Sequence, residues 1–137
     1  MNELILISYS KRLGIPSNSD FHINVTHLKD PPKYLRDRQT GLHKPIQDAI
    51  SNSNASEIDA IEKEIVEFIK DKDTCTIGLG CEFGKHRSVA VAEILARRFE
   101  NCNVMHRDIT KTRKTTAGGK WANKRCNKQS FLFEEYM

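Results

Sequence analysis

The chain has no long apolar run. None of its 137 residues falls in a stretch near the ~20 apolar residues that would cross a bilayer, which argues against a membrane span. The opening "MNELILISYS" has neither a basic leader nor a small-residue cleavage site, so it is expected to be a first strand in a cytoplasmic protein. No C-x-x-C occurs among Cys75, Cys81, Cys102 and Cys126, so structural zinc is not expected and buried, inert thiols are expected for Cys75 and Cys102. There is no G-x-x-x-x-G-K-[ST] and no internal repeat. Nothing in the pattern calls for a metal or cofactor.

Acidic residues are missing from one place in particular. From Ile109 to Lys128 the basic residues Lys111, Arg113, Lys114, Lys120, Lys124, Arg125 and Lys128 occur with no carboxylate between them. Residues 1–100 carry 14 Lys/Arg against 15 Asp/Glu, a net of −1, and residues 101–137 carry 8 against 3, a net of +5. A near-neutral body with a basic arm predicts a polyanionic partner, and RNA fits, with Trp121 able to stack on a base. The closing "FLFEEYM" is apolar enough to dock back or to meet a protein partner, which leaves a pure interaction role as a further reading.

What is present reads as an alternation of strands and helices. "ELILISYS" predicts a buried strand, and Phe21, Ile23 and Val25 alternate with polar residues in a half-buried one. "DPP" is expected to forbid regular structure. A short helix is expected from near Pro45. A longer one, with Ser56 and Asp59 as a capping box, is expected to run to about Lys70 with Ile58, Ile61, Ile65, Phe68 and Ile69 on its inner face. "TCTIGLG" predicts a strand, "SVAVAEILARRFE" a helix and "CNVMHRDI" a last strand. The order β-β-α-α-β-α-β predicts an α/β fold, a single layered domain with a mostly parallel sheet over residues 1–110, followed by a basic C-terminal tail over 111–137.

The stretch "GCEFGKHRS", Gly80 to Ser88, then joins a strand to a helix at the carboxyl edge of that sheet. Gly84 allows close backbone approach, Arg87 can grip a phosphate in bidentate fashion, Lys85 adds a point charge, His86 a further donor, and Ser88 is expected to be the N-cap. Cations at a helix start oppose the macrodipole unless an anion sits there, so a phosphate site is predicted. Cys81 and Arg87 also satisfy C-x5-R, the spacing of the protein tyrosine phosphatases, with Asp30, Asp37 and Asp108 as candidate general acids. Gly80 and Glu82 depart from that pattern, so catalysis by Cys81 is the alternative and a non-catalytic binding module the favoured reading.

The run "GCEFGKHRSVAVAEILARRF", followed by "VMHRDITK", resembles the C-terminal domain of RapZ, the bacterial RNase adapter family. That family carries a G-C-T-G-G-K-H-R-S-V loop, a helix with A-E-x-L and a strand ending in H-R. Upstream, "SYSKRLGIP", "LRDRQTGL" and the intervening residues are similar to its S-F-x-x-K-x-G-x-P, L-R and T-G-L. The resemblance covers roughly Leu4 to Arg113. It implies an α/β domain that recognises a phosphorylated aminosugar and structured RNA and presents the RNA to a ribonuclease. By position, Cys81, Gly84, Lys85, His86 and Arg87 would line the sugar-phosphate pocket. His106, Arg107, Lys111, Arg113 and Lys114 would serve RNA. Glu82 and Phe83 stand where the family has T-G, Asn24-Val25-Thr26 where it has D-V-R, and His43 where T-G-L is followed by an acid.

Overall fold

A computed structural model describes residues 3–110. Its sheet is built from β1 (Glu3–Ser10), β2 (Phe21–Asn24), β3 (Thr74–Cys81) and β4 (Cys102–His106), in the order β2-β3-β1-β4 with every pairing parallel. Helices α1 (Lys33–Arg36), α2 (Lys44–Ser53) and α3 (Ala55–Ile69) lie between β2 and β3, and α4 (Arg87–Ala96) joins β3 to β4. The α/β architecture expected from the alternation is present. No described helix is long and apolar enough to cross a membrane.

The core follows from the apolar periods. β1 is central and buried along most of its length, with Leu6 opposite Ile77 of β3 on one side and Val104 of β4 on the other. Such near-continuous apolar strands suit a parallel sheet covered by helices. Ile46 and Ile50 of α2, Ile58, Ile61 and Ile65 of α3, and Val91 and Leu95 of α4 pack into one cluster with Leu4, Leu6, Ile77 and Leu79. The broad apolar character of α4 is explained by its place: it contacts β1, β3, β4, α2 and α3.

Two local expectations are corrected. "DPP" has no regular structure, as expected, and a short helix not expected from the sequence, α1, begins directly after Pro32. No Ser56–Asp59 capping box opens α3. The helix begins two residues earlier, after Asn54, whose side chain accepts from Lys29 N and donates to Lys29 O and Ile50 O, so it fastens α2 to the 28–30 segment. Asp59 instead pairs with Arg98, Nη1 to Oδ1 at 3.0 Å. The second correction, Ser88, belongs to the candidate site. Of the expected inert thiols, Cys75 is buried, while Cys102 is half-buried with its thiol pushed up to about 11 by desolvation and then by Glu93.

Candidate functional site

The sheet order sets the carboxyl ends of β1 and β3 side by side at its centre, with the chain leaving β1 past β3 to β2 and leaving β3 past β1 to β4. In open parallel sheets ligands bind outside the carboxyl ends of the strands. Here the loop after β3 is packed onto the end of β1. Gly84 has φ +71°, and a Cβ at that residue would lie 2.8 Å from Ser10 N. Glycine is required there both by conformation and by space. Ser10 Oγ donates to Glu82 O at 2.8 Å, fixing the same loop from its other end.

Beside this contact, toward β2, opens a cleft of about 280 Å³. One wall is the β3–α4 loop, with Cys81, Phe83, Lys85 and His86; the facing wall carries Asp30, Arg36 and Asp37. The walls are tied together at several points. His86 Nε2 lies 2.9 Å from Gln39 O and 3.1 Å from Arg36 O. Gly41 N donates to Lys85 O at 2.8 Å, and a Cβ on Gly41 would be 2.4 Å from Ala90 N, so the segment after α1 can reach the start of α4 only as glycine. Gln47 Nε2 then donates to Gly41 O at 2.8 Å.

The predicted loop residues meet at the cleft, but in different roles. Lys85 is nearly buried, at 9% exposure. His86 is the N-cap of α4 without a side-chain cap bond; desolvation pushes its pKa below the ordinary value, so its ring is neutral and donates to the two carbonyls. Arg87 does not project freely toward a ligand. Its Nη1 donates to Thr26 O and Leu28 O, and its Nε lies 3.0 Å from Asp30 Oδ1. Ser88 is not the N-cap. It is fully buried, its N–H reaches Cys81 Sγ at 3.3 Å, and the Cys81 thiol donates to Ser88 Oγ at 3.2 Å. Cys81 itself is 3% exposed. Glu82 points its carboxylate away from that thiol to Arg12 Nε, at 3.0 Å.

Around the cleft and its immediate ion-pair partners stand five cations, Arg12, Lys33, Arg36, Lys85 and Arg87, against three carboxylates, Asp30, Asp37 and Glu82. The Lys33 hydrogen bond holds Asp37 below the usual carboxylate range, so it stays ionised. The balance remains positive, as an anion site requires.

The residues at the end of β4 and just after it do not line this cleft. His106 is 3% exposed, with Nδ1 2.7 Å from Ser8 Oγ and Nε2 2.7 Å from Glu93 Oε2, so it joins β4 to β1 and α4. Arg107 is more open. Its guanidinium lies over the Tyr9 ring, grips Asp108 and donates to Gly14 O. Asp108 is buried and accepts from Ser10 N at 2.8 Å. Lys111, Arg113, Lys114, Lys120, Lys124 and Arg125 lie outside the described residues.

A model of the RapZ C-terminal domain matches residues 2–110. The chain belongs to that family. Relatives called "Nucleotide-binding protein" include one from Bifidobacterium adolescentis, 39% identical over 101 residues that make up 68% of this chain and 33% of the relative. Another, from Agathobacter rectalis, is 34% identical and covers 79% of this chain and 42% of its own length. A third, from Glaesserella parasuis, is 33% identical over 127 residues, 82% of this chain and 44% of the relative. The chain thus spans between a third and less than half of these curated relatives. Site residues that the loop motif alone did not supply are Arg36, Gly41, Asp30 and Arg12. The first two lie in L-R and T-G-L, the same family pattern that the upstream sequence follows. Arg12 falls at the basic position of S-F-x-x-K-x-G-x-P within SYSKRLGIP, and Asp30 was marked only as a candidate general acid.

Proposed function

We propose that this chain is a non-catalytic binding module that takes a small phosphorylated ligand in the cleft beside Lys85 and binds RNA, as an adapter would, through its basic C-terminal residues. The single observation that carries the ligand half is the cleft at the carboxyl edge of the parallel sheet, whose three lining cations and three lining carboxylates are joined from outside by Arg12 and Lys33. Lys85 lies almost buried in its wall, where an anion would interact in a low dielectric. Membership of the RapZ C-terminal family and the names of the relatives support a nucleotide- or RNA-type ligand. Arg87 acts here as a brace: through Asp30 and the carbonyls of Thr26 and Leu28 it holds the facing wall in register with the loop. A ribonuclease partner belongs to the same reading.

The phosphatase alternative has less support. A C-x5-R nucleophile needs the thiol open to the phosphoryl group and the arginine free to hold it. Here Cys81 is buried against Ser88 and Arg87 is engaged by the 26–30 segment.

Calorimetric titration of the full chain with inorganic phosphate and sugar phosphates tests the ligand reading. Saturable binding is expected, with Lys85→Met weakening it at least tenfold. Affinity unchanged by Lys85→Met would remove the cleft from the mechanism.

A further inference from the structure

Phe83 is among the large apolar side chains left exposed, at 46%, and it stands in the wall of the cleft two residues from Lys85. The ring is held in place. The Arg12 guanidinium lies over it, 4.5 Å from the centroid, and Arg12 Nε is fixed by Glu82 at 3.0 Å. Glu82 in turn has its carbonyl held by Ser10 Oγ, so the shelf is anchored to the end of β1. An exposed aromatic ring, covered by a planar cation and oriented before any ligand arrives, gives a flat surface at the cleft. Sugar hydroxyls would gain little from it, whereas a planar heteroaromatic ring extends the stack.

We propose that Phe83 and Arg12 form a nucleobase-stacking subsite, so that the ligand of the cleft is a nucleoside phosphate unit and not a bare sugar phosphate. The proposal rests on the phosphate-binding reading of the same cleft. Reach supports it: the Cα atoms of Phe83 and Lys85 can lie no more than about 7 Å apart. A single ribose separates phosphate from base by a comparable span. Stacking tolerates any base, because every base has a flat face. The unit comes either from a free mononucleotide or from a nucleotide within RNA.

The test compares AMP, UMP, ribose 5-phosphate, inorganic phosphate and a uridylate hexamer as ligands of the full chain. AMP is expected to bind about tenfold more tightly than ribose 5-phosphate, the gain that one stacked base commonly brings. Phe83→Ala should bring that ratio close to one, and Phe83→Trp should restore it. A Phe83-dependent gain seen with AMP and UMP assigns the subsite to free nucleotides; one confined to the hexamer assigns it to RNA. Equal binding of AMP, the hexamer and ribose 5-phosphate per phosphate, or a preference that survives Phe83→Ala, overturns the stacking subsite while leaving the phosphate site standing. Failure of every phosphorylated compound, inorganic phosphate included, overturns both.

Discussion

Gly84 and Ser10, seventy-four positions apart, meet with so little space that a single added carbon on Gly84 would lie 2.8 Å from the Ser10 amide nitrogen. The loop that borders the cleft is therefore set by the end of the neighbouring strand as well as by its own helix. Ser10 N is already committed to Asp108 Oδ2, at 2.8 Å, so the backbone there cannot shift without disturbing a buried carboxylate.

The first prediction follows from that contact. Gly84→Ala is expected to destabilise the protein by about 2 kcal/mol or more, from the left-handed backbone together with the clash. Urea denaturation measures it. A loss below about 0.5 kcal/mol would mean that the loop repacks freely and is not fixed by Ser10.

His86 gives a pH dependence with a definite sign. Desolvation chiefly lowers its folded-state pKa, partly opposed by the carbonyls of Gln39 and Arg36. The unfolded state then binds more protons, so this contribution is fully present above the ordinary value of 6.5 and is lost as pH falls from there through the lowered folded value. Stability curves from pH 7.5 to 5 should fall more steeply for the wild type than for His86→Gln. Parallel curves would show that the ring is solvated.

Cys81→Ser is expected to leave hydrolysis of an aryl phosphate at the uncatalysed level, where the wild type also lies. The thiol is packed against Ser88, and so it serves the wall of the site. Turnover by the wild type that disappears in the variant would make Cys81 a nucleophile.

RNA binding should depend on salt through the arm after residue 108. If about four to six of its seven cations engage single-stranded RNA, log K against log salt has a slope of roughly −3 to −4. Replacing Lys111, Arg113 and Lys114 together by Ala should flatten the slope by about two and weaken all sequences alike. Filter binding over a salt series measures it. A chain ending at Ile109 that binds RNA as tightly as the full one would exclude the arm.

The sequence by itself determined the architecture. Apolar runs and helical periods marked every strand and the three longer helices within a few residues, because burial of one face is written directly in local spacing. It also brought out the loop Gly80 to Ser88 as chemically unusual and tied it, through family motifs, to a known domain.

Only the tertiary structure decided what each of those residues does. Arg87 looks like a phosphate clamp in a short motif, yet its partners Thr26, Leu28 and Asp30 lie some sixty residues away. Ser88 has the identity of an N-cap but is turned inward by Cys81, and His106, expected to serve RNA, is buried between Ser8 and Glu93. Arg12 and Phe83 come together only because β1 and β3 are neighbours in the sheet. Local spacing records which face of an element is buried, because that repeats along the chain. Which distant groups fill a side chain's hydrogen bonds depends on how strands are ordered, and no local period carries that.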